Sequence, residues 1–114
     1  RAYERMRVPR LPRASWRVRL EALARAYLAM LARSRELLRY VTAHAATTAR
    51  APAAIFDAHF RDAIEPLRLP PRTREIAQHA FVDFLHGVAL AGRVPWPRVR
   101  AELRVIIEGI AGAR

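Results

Sequence analysis

Arg72-Thr73-Arg74-Glu75-Ile76-Ala77-Gln78-His79-Ala80-Phe81-Val82-Asp83-Phe84-Leu85-His86-Gly87-Val88-Ala89-Leu90-Ala91 is the stretch that decides the fold. It is long enough for about five helical turns. From Ile76 to Leu90 its only formal charge is Asp83. At helical spacing Ile76, Ala80, Phe81, Phe84 and Val88 share one face. Val82, His86, Ala89 and Leu90 lie opposite, with His79 beside them. A helix that is largely apolar all round must be covered all round. In a chain of 114 residues the helix's own neighbours cover one side easily. The other side calls for a partner, and a second copy of the chain is the expected one.

Working outward, the other elements also read as helices. Gly92 suits a helix end, and Pro97 opens a last helix, Pro97–Ala111. Val99, Leu103, Ile106, Ile107 and Ile110 form its apolar stripe; Arg98, Arg100, Glu102, Arg104 and Glu108 lie away from it. Upstream, Ser15 caps a helix over Ser15–Arg33. Its inner face is Trp16, Leu20, Leu23, Tyr27, Met30 and Leu31. Ser34 caps a short helix over Ser34–Ala46, with Leu37, Leu38, Tyr40, Val41 and His44 inward. Thr47–Arg50 reads as a loop. Pro52–Glu65 is the next helix, with Ile55, Phe56, His59, Phe60 and Ala63 inward. Pro9 and Pro12 break the chain into a linker over 8–14, and Arg1–Arg7 reads as the end of a helix. No segment alternates at period two. The expectation is one all-α domain, a bundle of about five helices.

Composition narrows the function. Hydrophobic residues are 53% of the chain, which excludes disorder, and aromatics at 8% with abundant Ala and Leu favour helix over sheet. There is no cysteine, so disulfides and thiolate metal sites are excluded, and a reducing, cytoplasmic setting is expected. No apolar run approaches the roughly 20 residues of a membrane span. The formal charge is +11. One reading is a nucleic-acid surface. The other is compositional: all 21 basic residues are arginine, and they are dispersed along the helices.

Catalytic motifs are absent. There is no phosphate-binding glycine loop and no His-Glu-x-x-His. Both serines read as helix caps, and the carboxylates form no acid–base pair, so an enzyme is not expected. Asp57 and His59, two apart on a helix, point roughly 160° away from each other. His79, Asp83 and His86 share a face that could hold a metal, but such a face is more often a polar patch in an interface; no cofactor or metal is expected. His44 and His59 sit on apolar faces among aromatics. They read either as core histidines or as polar contacts in an apolar ligand cavity. With Tyr27, Met30, Leu31, Tyr40, Phe56, Phe60 and Phe84 they would line a pocket for a hydrophobic or aromatic molecule.

The order of helices and three stretches carry a resemblance. Ala14-Ser15-Trp16-Arg17-Val18-Arg19-Leu20-Glu21-Ala22-Leu23-Ala24-Arg25-Ala26-Tyr27, then Leu31-Ala32-Arg33-Ser34-Arg35-Glu36-Leu37-Leu38, then Phe81-Val82-Asp83-Phe84-Leu85-His86-Gly87-Val88-Ala89-Leu90 together resemble the C-terminal ligand-binding and dimerisation domain of TetR-family (tetracycline-repressor-like) regulators. Many members have His-Pro near Ser34 and Arg35; this sequence departs from that. The resemblance implies a homodimer built on a four-helix bundle, two helices from each subunit. It also implies a small-molecule cavity among the earlier helices, and DNA reading by an N-terminal helix-turn-helix domain ahead of Arg1. The expected interface is His79, Val82, Asp83, His86, Ala89 and Leu90, flanked by Leu103, Ile106, Ile107 and Ile110. His79 and His86 would lie near the two-fold axis. The alternative is a basic helical module that binds nucleic acid or an acidic protein directly.

Overall fold

A computed structural model describes residues 15–34, 36, 39 and 53–113. Within them stand four α-helices and one 3-10 turn: α1 (Trp16–Arg33), α2 (Ala53–Ile64), the turn Glu65–Leu67, α3 (Pro71–Ala91) and α4 (Trp96–Gly112). There is no strand among the described residues, so the all-helical expectation holds. Most of the expected helix Ser34–Ala46, with Tyr40 and His44, lies outside the described residues, as does the segment before Ser15.

Local chemistry sets the ends. Ser15 caps α1, its hydroxyl accepting from the Val18 N–H at 3.5 Å. Ser34 closes α1, its N–H donating to the Met30 carbonyl. Pro66 falls in the turn after α2, and Arg68 follows in the left-handed region at φ 47°. Pro71 opens α3, where a missing N–H costs nothing. Gly92 ends α3 at φ 87°, ψ −134°, a conformation a side chain rarely tolerates. Pro97 lies in the first turn of α4.

Helix α1 packs against each of the other three. It buries Trp16, Leu20, Leu23, Ala24, Tyr27, Met30 and Leu31, steps of three and four that keep one broad face inward. Against it α2 sets Phe56 and Phe60, α3 sets Ala77, Phe81 and Leu85, and α4 sets Leu103, Ile107 and Ile110. Leu67 and Leu69, between α2 and α3, join the same core.

Polar pairs fix how the helices run. Arg17 Nε donates to Glu108 Oε1 at 2.7 Å. Glu21 accepts from Arg100 and Arg104 at 3.2 and 3.3 Å, and the Arg25 guanidinium lies 5.1 Å from the centre of the Trp96 ring. Residues 17, 21 and 25 climb α1 as 108, 104, 100 and 96 descend α4, so the two helices are antiparallel. Arg19 Nη2 meets Asp62 Oδ2 at 2.7 Å and ties the start of α1 to the end of α2. Most of these side chains are well exposed, and such pairs contribute about 0–1 kcal/mol each. The ladder sets register; the core supplies the stability.

Candidate functional site

The sites expected from sequence fall on two sides of α3. On the inner side, Tyr27, Met30, Leu31, Phe56 and Phe60 are all buried in one cluster. Tyr27 and Phe56 have ring centres 4.9 Å apart, Phe56 and Phe60 6.2 Å, and Phe60 and Phe81 5.3 Å. His59 is half-buried at the edge of α2. Phe84 is half-buried, touching the core and also facing outward.

The polar group inside this aromatic cluster is His86. Its Nε2 is 2.7 Å from the Tyr27 hydroxyl, which gives a buried imidazole the partner it needs. Burial pushes the imidazole below its ordinary pKa, and Asp83, one turn earlier, pulls it partly back. His86 therefore sits in the subunit's own core, not on an outer face near a two-fold axis. His79, by contrast, is exposed, so His79, Asp83 and His86 are not gathered in one place. On α2, burial raises the Asp57 carboxyl, against the pull of Arg61 and His79.

The burial pattern turns α3 by about a quarter of a turn from the sequence expectation. The inward residues are Ala77, Phe81, Leu85 and His86, while Val82 and Ala89 are half-buried against the core. The outward residues are Ile76, Ala80, Asp83, Gly87, Leu90 and Ala91. Of the expected interface centre, Val82, His86, Ala89 and Leu90, Leu90 alone is exposed. On α4, Leu103, Ile107 and Ile110 fill the core, and Ile106 is half-buried. The physical reason is that an all-apolar helix carries no polar stripe to mark its outer side.

The outer face of α3 is largely apolar, and that of α4 is mixed, with Arg98 and Glu102 beside Val105, Gly109 and Gly112. Ile76 is 61% exposed, Leu90 46% and Val105 73%. Residues 76, 80, 83, 87 and 90 of α3 step by four and three, as do 98, 102, 105, 109 and 112 of α4. That is the spacing of a seam between helices. Asp83, Phe84, Gly87, Val88, Ala91, Val94, Arg98 and Glu102 line a trough of about 420 Å³ between the two helices. Sequence reasoning missed Ile76, Ala80, Gly87 and Val105 as outer residues. The available signal was glycine in a helix interior, Gly87 and Gly109. Comparison of the chain with protein-family models, curated proteins and solved structures gives no match.

Proposed function

We propose that this chain is the effector-sensing and dimerisation domain of a transcriptional regulator of the TetR type. In this reading a small, mainly hydrophobic ligand bound among α1, α2 and α3 controls DNA binding by an N-terminal domain. The observation that carries it is the outer side of α3 and α4, where Ile76, Leu90 and Val105 are exposed among the described residues. The two long helices bury one side in their own subunit and leave a second, seam-spaced side that no described residue covers. A second copy covers that side symmetrically. The sensing part rests on the resemblance; Tyr27 and His86 satisfy each other within the packed aromatic cluster.

Light scattering across a concentration series tests the reading, with a dimer expected. A monomer throughout, with its helices intact, overturns it. The coding sequence ahead of Arg1 is the companion test. A helix-turn-helix there supports the regulator, and any other kind of domain overturns it. The basic-module alternative draws on the charge of +11. Against it, Arg17, Arg19, Arg100 and Arg104 already bridge to carboxylates on neighbouring helices of the same chain.

A further inference from the structure

The trough between α3 and α4 is lined mostly by Phe84, Gly87, Val88, Ala91 and Val94, with Asp83 on the α3 side and Arg98 beside Glu102 on the α4 side. Neither Asp83 nor Arg98 is firmly neutralised inside the chain. Asp83 has no ion pair among the described residues, and Arg98 reaches Glu102 at 3.7 Å through exposed side chains. Such an arrangement is self-complementary. Under a two-fold axis, any contact of α3 on α4 is made twice, once in each direction.

The glycines point the same way. Gly87 and Gly109 lie inside helices, where glycine weakens the helix. A Cβ at either place would meet nothing among the described residues within 4 Å, so packing within them gives no reason for the glycines. Both lie on the exposed seams, where a missing side chain lets another helix approach closely.

We propose that the trough closes on the same trough of a second copy, with Asp83 of each protomer paired to Arg98 of the partner subunit. This rests on the dimer reading above and adds the charge code by which one copy selects another.

A charge exchange tests it. Asp83 is exposed on α3, and Arg98 is in the first turn of α4, where an acidic side chain suits the helix dipole. Asp83→Arg and Arg98→Glu should each keep the helical circular dichroism signal. By analytical ultracentrifugation each variant alone should dissociate at about tenfold higher concentration than the unmodified chain, or more. An equimolar mixture of the two should recover a dimer, because the heterodimer re-forms one pair with polarity reversed and keeps the other as it was. If a reversal loses its helical signal, Asp83→Asn and Arg98→Gln replace it. Each should then weaken the dimer, and together no more than one alone. An unmodified chain that stays monomeric overturns the dimer reading itself. A dimer whose variants dissociate like the unmodified chain, or whose mixed variants fail to recover, overturns the pairing and leaves the dimer intact.

Discussion

The Tyr27–His86 contact is where one side chain decides most. Removing the hydroxyl in Tyr27→Phe leaves His86 Nε2 without that partner. The expected loss is about 1–3 kcal/mol of stability in urea unfolding. The same imidazole makes stability depend on pH. Burial holds its pKa below 6.5 in the folded chain, so the unfolded chain takes up the proton more readily. Its contribution is therefore present above pH 6.5 and is lost as pH falls from there through the lower, folded value. In His86→Phe, unfolding midpoints measured across that range should show a shallower acid slope. At this scale the sequence was partly legible. Tyr27, Phe56 and Phe60 read correctly as inward because they fall on the apolar stripe at helical spacing, with Arg17, Arg25 and Arg33 marking the outer side of α1 and Asp57 and Arg61 that of α2. His86 read as outward because its nearest neighbours, Leu85 and Gly87, carry no charge to mark the water side.

Each of the last two helices has one buried and one open stripe, and substitutions should separate them. Leu103→Ala empties a fully buried site on α4 and should cost about 2–5 kcal/mol of folding stability. Val105→Ala, two residues on and 73% exposed, should leave stability within about 0.5 kcal/mol while raising the dimer dissociation constant. Gly87→Ala and Gly109→Ala should act in opposite directions on the two properties. Each should stiffen its helix by up to about 1 kcal/mol, read by thermal unfolding of the dilute chain. Each should also push protomers apart, read by sedimentation. Helix ends were legible within a residue or two, because Ser15, Gly92 and Pro97 carry local chemistry that needs no tertiary context. The rotation of α3 was not. Ala77, Phe81 and Leu85 face inward because α1 and α2 present aromatic rings to them, a fact the α3 sequence does not hold.

For the whole molecule, the all-helical class followed from apolar faces at helical period, the Ala- and Leu-rich composition and the lack of alternation. That α1 is the central helix was less legible, since its clear amphipathic pattern gave no hint that three partners share its inward face. The arginine surface also changes meaning once folded. Four arginines bridge helices through ion pairs, which gives them a structural part. Fluorescence anisotropy with generic duplex DNA at about 50 mM salt tests the basic-module alternative: no binding by this chain alone is expected, and binding with a steep salt slope would favour that alternative. The α1–α4 ladder has one more consequence. Arg17 grips Glu108, so the first turn of α1 and the last turn of α4 lie side by side. A clamp between those two turns joins the start of the described bundle to its finish, so a pull on the first turn of α1 is carried straight to the last turn of α4.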